Sequence, residues 1–167
     1  MKTCSYCGTP VHKKEHLYYC NFCLMYLEDG YVEEDGERIN INYREYALES
    51  DLDKPTFELM DFPTIELLSL LKIARNKRSS QYDNLSNLNK ALEQLEDPSE
   101  YAESQKECQK KYEFFTKKMY SIENILKQRL GYIPPRIDKA LLVKYLNNMK
   151  RKTKNQEKMK VFSSEEA

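Results

Sequence analysis

Four cysteines near the start of the chain have a spacing that suits metal binding. Cys4-x2-Cys7 and Cys20-x2-Cys23 are separated by twelve residues. Thiolate-bound Zn²⁺ takes four ligands at tetrahedral corners, and a Cys-x2-Cys turn supplies two adjacent corners. The two turns therefore predict a zinc site. Because four thiolates leave no open position for water or substrate, we expect a structural zinc whose binding energy folds a small segment.

The residues between the cysteines are typical of a short hairpin. Gly8 directly follows Cys7, where a residue without Cβ suits a tight turn, and "HLYYC", residues 16–20, predicts a strand. His12 and His16 could also bind a metal, but four cysteines already complete the shell, so we expect both histidines in exposed loops.

The pattern of Cys4, Cys7, Gly8, Cys20 and Cys23 resembles the zinc-ribbon group over about the first 45 residues. The second turn, "CNFCL", lacks the glycine often seen in that group. The abundance of Lys, Asn, Tyr and Ile is similar to that of small proteins from low-GC bacteria or their phages. The resemblance implies a binding or scaffolding module and names no substrate.

The composition predicts a cytoplasmic, helix-rich protein. Of 167 residues, 32% are charged and 40% hydrophobic, mean hydropathy is −0.81, and there are 4 Gly and no Trp. No stretch is apolar enough for a membrane span, and the start lacks the apolar core of a secretory signal. In a reducing cytosol paired cysteines are more often metal ligands than disulfides.

The net charge is zero, but its distribution along the chain is uneven. Residues 26–62 carry twelve acids and three bases, whereas residues 132–167 carry nine bases and four acids. Charge asymmetry of this kind bears on partners and solubility rather than on fold.

We expect an α+β, mostly α fold in five parts. Residues 1–45 form the zinc ribbon with β-hairpins, and 46–62 form an acidic connector with at most short structure. Residues 63–131 form a long antiparallel helical hairpin, 132–155 a Pro-Pro joint and basic helix, and 156–167 a disordered tail. Within the ribbon, Asp29-Gly30 and Asp35-Gly36 favour hairpin turns, and the alternation of Ile39, Ile41 and Tyr43 predicts a strand after the second.

The helical hairpin is predicted from helix-end signals and apolar periodicity. Asp61 or Thr64 can cap the first helix beside Pro63, Asp97 can cap the second, and Gly131 can end it. Two helices of equal length follow, 64–96 and 98–130, with a break at Ser79-Ser80 left open. The second helix carries a heptad seam typical of a coiled coil, which also permits self-association. The seam residues are Tyr101, Gln105, Cys108, Tyr112, Phe115, Met119, Ile122 and Leu126.

The third helix follows Pro134-Pro135 and has one apolar side, formed by Leu141, Leu142, Tyr145, Leu146 and Met149. Its basic end has two interpretations, phosphate contact or a solvated helix end. The basic residues are Lys150, Arg151, Lys152 and Lys154.

The sequence contains no Gly-rich phosphate loop, no Ser/His/Asp arrangement and no His-x-x-x-His helix, so we do not expect an enzyme. Cys108 on the seam is expected to be a small buried side chain. The leading hypothesis is a non-enzymatic zinc-ribbon adaptor or regulator that binds a protein partner, in transcription or in phage–host conflict.

Two alternatives stay open. The first is nucleic-acid binding by the basic end together with aromatic and basic residues beside the cysteines, which could equally form the small core; these are Tyr6, Lys13, Lys14, Tyr18, Tyr19 and Phe22. The second is an RNA polymerase-binding factor, since an acidic-tipped helical hairpin with a zinc module resembles the factors that enter the polymerase secondary channel. The tip residues would be Glu93, Glu96, Asp97 and Glu100.

Overall fold

A computed structural model describes residues 1–95 and 97–151. The chain is α+β and mostly helical, as predicted, with small antiparallel sheets at its start. It divides into two compact units. Met1–Ile41, with which the described residues from Met149 are grouped, is called the ribbon unit; Asn42–Asn148 is the helical unit. The predicted disordered tail, 156–167, lies outside the described residues.

The ribbon unit contains two antiparallel sheets. Strand β1 (Lys2–Cys4) pairs with β5 (Val32–Glu34). Strands β2 (His12–Lys14), β3 (Leu17–Cys20) and β4 (Met25–Leu27) form a three-stranded sheet in that order. The strand predicted from "HLYYC" is confirmed as β3.

The core of the ribbon unit is very small. Its buried members are Cys4, Tyr18, Cys20 and Leu27, and Val32 is among the side chains packed against them. A core in which half of the buried members are cysteines has little apolar area to offset the entropy of folding. A bound metal would supply the missing stabilisation.

The strand predicted at residues 39–43 is wrong. Asp35 and Gly36 do form a turn, with φ of 50° and 74° and a hydrogen bond from Glu37 N to Glu34 O of 3.0 Å. The chain beyond it is not a strand. Alternation indicates a strand only when one face is buried, and Ile41 is 54% exposed. Strand β5 pairs instead with the distant β1, and Asp29–Tyr31 forms a 3₁₀ turn rather than a hairpin.

The helical unit is built on two antiparallel helices of 29 residues each, α2 (Thr64–Leu92) and α3 (Ala102–Leu130). Helix α2 runs without a break through Ser79 and Ser80. Short helices precede each long one: a 3₁₀ helix at Glu49–Asp53 and α1 (Thr56–Met60) before α2, and a 3₁₀ helix at Pro98–Tyr101 before α3.

The helix ends follow the predicted signals in part. Asp97 accepts a hydrogen bond from Ser99 N at 3.0 Å, and Gly131 ends α3 with φ 79°. The cap predicted for α2 is wrong. Pro63 holds the cap position without a side-chain bond, and Asp61 instead ends α1. Because Pro63 has a fixed φ near −65°, it can begin a helix without a capping side chain.

The acidic segment 46–62 has the short structure that was expected, and it also contributes to the helical core. Ala47, Leu52 and Leu59 are buried there. They join the apolar face of α2 and the buried residues of α3 and the joint: Leu67, Leu68, Leu70, Leu71, Ala74, Ile122, Ile125, Leu126 and Ile137. The acidic stretch is therefore part of the helical unit.

Helix α4 (Lys139–Lys150) follows the Pro-Pro joint, which is not helical. Arg75 Nη1 donates to Pro134 O at 2.8 Å and to Pro135 O at 3.2 Å, which ties the joint to α2. The predicted apolar side of α4 is confirmed, since Leu141, Leu142, Tyr145, Leu146 and Met149 are all half-buried.

Candidate metal centre and interaction surfaces

The four predicted cysteines come together. Their Sγ atoms all lie within 4.8 Å of one another. The Cys4–Cys23 Sγ distance is 3.9 Å and the Cys7–Cys20 distance is 3.5 Å. Four sulfurs at 2.3 Å from a tetrahedral zinc would be about 3.8 Å apart. The cluster therefore has the size and the donor set to hold a metal ion.

Two turns of the same shape bring the sulfurs together. In the first, Gly8 N donates to Cys4 O at 2.8 Å; in the second, Leu24 N donates to Cys20 O at 2.9 Å. Cys23 N also donates to Cys20 Sγ at 3.4 Å. Gly8 has φ 74° and Leu24 has φ 56°, so both turns close on a left-handed residue.

The thiols differ in burial and in acidity. Cys4 and Cys20 are fully buried, whereas Cys7 and Cys23 are half-buried. Burial raises the pKa of Cys4. Burial also raises the pKa of Cys7, but hydrogen bonds from Thr9 and from the neighbouring thiols outweigh it and lower that pKa to about 6. The hydrogen bond with Cys7, together with burial, raises the pKa of Cys23 to about 12. A metal must displace these thiol protons to bind.

The aromatic and basic residues predicted beside the cysteines have different environments. Tyr18 is buried, and its hydroxyl accepts a hydrogen bond from Lys2 Nζ at 2.7 Å, so it belongs to the core. Tyr6 is exposed and stacks on Tyr31 at 6.2 Å. Phe22 is 75% exposed. Lys13 and Lys14 are exposed and Tyr19 is half-buried.

One face of the three-stranded sheet carries an aromatic row. His12 pairs in register with Tyr19, and Tyr19 with Tyr26. The Tyr19 and Tyr26 rings are 5.0 Å apart, and Lys14 Nζ lies 4.7 Å and 5.8 Å from them. Tyr26 was not among the predicted contact residues, although "MYL" after the second cysteine pair is typical of a short strand. His12 and His16 are exposed and lie outside the sulfur cluster, as expected. The loop predicted for His12 is wrong, because pairing with Tyr19 places it in strand β2.

A charged cluster in the helical unit was also missed. Arg44 Nε donates to Glu66 Oε2 at 2.8 Å, and Arg44 Nη2 donates to Asp51 Oδ2 at 3.0 Å. Asp51 and Glu66 are buried. Arg44 and Lys54 also lie over the Phe62 ring at 5.4 Å and 5.0 Å. The cluster ties residues 44–51 to α2.

The predicted seam faces α2, and its burial increases along α3. Tyr101 is exposed, and Ile122 and Leu126 are buried. The seam residues between them that are half-buried include Cys108, Tyr112, Phe115 and Met119. Tyr112 packs on Tyr82 at 5.8 Å and accepts a hydrogen bond from Arg78 Nη2 at 2.9 Å. Cys108 is a free thiol with no described base hydrogen-bonded to it.

The remaining candidates lie at helix ends. Glu93 and Glu100 at the hairpin tip are exposed. The Asp97 carboxylate accepts hydrogen bonds from the backbone N and the hydroxyl of Ser99 and so caps the 3₁₀ helix. Lys150 and Arg151 are exposed. Glu96, Lys152 and Lys154 lie outside the described residues.

Comparison with protein-family models, with curated proteins and with solved structures finds no match for this chain. Among the described helices, none is both long and apolar enough to cross a membrane.

Proposed function

We propose that the chain is a non-enzymatic adaptor or regulator in which a zinc-folded ribbon unit presents side chains to a protein partner. One observation carries the proposal: residues 1–41 are little more than a quarter of the described residues but carry nine of their twenty exposed large apolar side chains. These nine are Met1, Tyr6, Leu17, Phe22, Leu24, Met25, Tyr26, Tyr31 and Ile41. Single exposed apolar residues are ordinary, but a small unit rich in them is typical of a binding surface.

Zinc is the metal we propose for the sulfur cluster. Four thiolates at tetrahedral spacing suit Zn²⁺ better than oxygen-preferring Mg²⁺ or Ca²⁺. Cys4, Cys7, Cys20 and Cys23 would hold the ion, and it would supply folding energy to a unit with a very small core. A closed four-sulfur shell supports a structural role and gives no position for a reacting molecule.

Affinity capture with the tagged full-length chain tests the proposal. We expect a protein partner to be retained from a nuclease-treated extract of the host by the wild type and lost with Cys20→Ser, which removes one metal ligand. The matched control is Cys108→Ser, which changes a cysteine outside the cluster and should retain the partner. A purified chain that turns over nucleotide or peptide substrates in a zinc-dependent way would contradict the proposal.

Nucleic-acid binding is the second candidate, and the aromatic row on the sheet favours it. Strands β2, β3 and β4 contain Lys13 and Lys14 and no acidic residue. Tyr19 and Tyr26 offer ring faces of the kind on which bases stack. Against it, Lys14 already lies over both rings.

Gel shifts with single-stranded DNA and RNA distinguish the second candidate from the first. Direct binding predicts an affinity that falls steeply with salt and falls again when Lys13 and Lys14 are both changed to Glu. If the shift at low salt is absent, or is unaffected by the double change, nucleic acid is not the ligand of this sheet.

A further inference from the structure

The two metal-binding turns share a geometry but differ at the residue that closes them. Gly8 closes the first turn and Leu24 closes the second, each with its N–H bonded to the carbonyl of the first cysteine of its pair. Both have positive φ, 74° for Gly8 and 56° for Leu24. Glycine adopts this conformation without cost, whereas a leucine is strained in it because its Cβ crowds the backbone.

Burial does not offset the strain at Leu24, because its side chain is 75% exposed. A glycine would satisfy the turn, as Gly8 does in the first one. Backbone strain that side-chain packing does not offset is characteristic of sites where the residue serves a function.

Phe22 adds a second exposed apolar side chain to the same turn. It occupies the position that Tyr6 holds in the first turn. Tyr6 stacks on Tyr31, whereas Phe22 is 75% exposed and has no ring contact among the described residues. The second turn thus presents two large apolar side chains that are each 75% exposed.

The charge pattern indicates what could cover this turn. Residues 17–27, "LYYCNFCLMYL", contain no charged side chain in a chain that is 32% charged. Lys2 and Lys14 lie over tyrosine rings of the sheet, but among the described residues no cation lies over the Phe22 ring. The turn itself therefore suits an apolar, uncharged protein pocket better than it suits phosphates.

Three cavities in the described part of a second copy each include charged side chains in their lining, so none of the three is an uncharged pocket. One cavity of about 450 Å³ in the helical unit is lined mainly by charged residues, among them Glu49, Lys77 and Lys110. Another, at the hairpin tip, includes the charged Glu93 and Asp97 beside the apolar Leu92. The cavity beside the first metal-binding turn includes the charged Asp35.

We infer that Phe22 and Leu24 form a docking tip that inserts into an apolar, uncharged pocket of a different protein. The inference rests on the proposed function and deepens it, since it names the contact residues and the chemistry of the partner's pocket. Aromatic anchors that fill a desolvated pocket carry much of the binding energy of protein interfaces.

Stability measurements on the full-length, zinc-loaded protein test the strain directly. Leu24→Gly and Leu24→Asn place residues that tolerate positive φ in the turn, and we expect each to raise the Tm of the ribbon unit, by on the order of 4 °C. Leu24→Ala keeps the strain and should leave the Tm nearly unchanged. A Tm lowered by Leu24→Gly would show that the side chain supports the fold, and it would overturn the inference.

Site-specific cross-linking identifies the occupant. A benzophenone side chain is introduced at position 22 and, as the matched control, at Phe57, which is 68% exposed in the helical unit. We expect a discrete cross-link to one protein of the host from position 22 and not from position 57. Cross-linking to nucleic acid, to a second copy of the chain, or to no discrete species would each overturn the inference.

Titration of that purified protein completes the test. We expect Phe22→Ser, Leu24→Gly and Leu24→Ala each to weaken the Kd at least about tenfold, and Phe57→Ser to leave it unchanged. If affinity capture yields a protein partner that the three variants bind as well as the wild type, the docking tip is refuted while the adaptor function stands. If no protein partner exists, both are refuted.

Discussion

Arg44 and Glu66 form a two-point ion pair between the segment that precedes the helices and the first long helix. Arg44 Nε and Nη2 lie 2.8 Å and 2.7 Å from Glu66 Oε2, and Arg44 N donates to Glu66 Oε1 at 2.8 Å. The same guanidinium reaches Asp51. One cation thus serves two buried carboxylates and fixes the course of residues 44–51 against α2.

Replacing Arg44 by Met should destabilise the helical unit. The change leaves the buried Asp51 and Glu66 carboxylates without the guanidinium. Because Arg44 is itself 42% exposed, we discount the loss for solvent screening and expect roughly 1–3 kcal/mol from the free energy of unfolding. Urea unfolding followed by helical circular dichroism measures it.

The matched control is Lys111→Met, which removes a cation from an exposed pair with Glu107 on α3. Surface pairs of this kind contribute little, so we expect no measurable change. Equal effects of the two substitutions would show that the contacts of Arg44 with the buried carboxylates do not stabilise the tertiary structure.

Truncating the buried end of the seam should cost more than truncating its middle. Leu126 is fully buried, so Leu126→Ala should lower the free energy of unfolding by about 2–5 kcal/mol through lost transfer energy and a cavity. Cys108 is half-buried, and Cys108→Ala should cost less than about 1 kcal/mol. Similar losses at the two positions, measured by urea unfolding, would mean that α3 packs uniformly.

The titration of Asp97 should report the cap of the 3₁₀ helix Pro98–Tyr101, which leads into α3. Hydrogen bonds from the Ser99 side chain and backbone hold the pKa of Asp97 below its ordinary value of 3.8. A carboxyl whose pKa is depressed by folding stabilises the fold above its ordinary pKa, and the contribution is lost as the pH falls through the lower folded value. NMR titration of the carboxyl carbon checks the direction.

Ser99→Ala removes the hydroxyl donor and should raise the pKa of Asp97 toward its ordinary value. Ser121→Ala removes a hydroxyl that donates to Lys117 O at 3.0 Å and should leave the Asp97 titration unchanged. An Asp97 pKa that does not respond to Ser99→Ala would exclude this cap in solution.

Metal removal should unfold the ribbon unit and spare the helices. The core of the ribbon unit consists largely of the cysteines, whereas the core of the helical unit contains none of them. After chelation we expect amide protection to be lost at Leu17–Cys20 and Val32–Glu34 and retained in α2 and α3. Hydrogen exchange read by mass spectrometry decides it. Loss of protection in both units together would mean that they fold as one.

The helices and the sulfur cluster could be predicted because their signals are local. A Cys-x2-Cys turn fixes two ligands within four residues, and Gly131 ends a helix by its own conformational freedom. Apolar periodicity likewise predicted which side of α3 and which side of α4 is less exposed. Such features depend on neighbours in sequence, which a pattern can read.

The features that were missed depend on residues far apart in the chain. Strand β5 pairs with β1 about thirty residues earlier, although the Asp-Gly turn favoured pairing with the residues that follow it. Nothing in the sequence distinguishes Asp51 and Glu66 from the exposed acidic residues around them. They differ only in the folded chain, where both pair with Arg44. In the sequence, Leu24 in the second metal-binding turn was only a departure from the usual glycine. Its positive φ and its exposed side chain, which indicate backbone strain without burial, became visible only in the structure.

The zinc that we propose for the four-cysteine cluster is the feature on which the proposed interaction module depends, and metal analysis of the purified full-length protein tests it most directly. We predict one tightly bound zinc per chain, with Cys4, Cys7, Cys20 and Cys23 protected from a thiol reagent while Cys108 reacts. Cys20→Ser should lose both the metal and the protection. A folded chain that contains no zinc, or one in which the four cysteines form disulfides, would contradict the prediction.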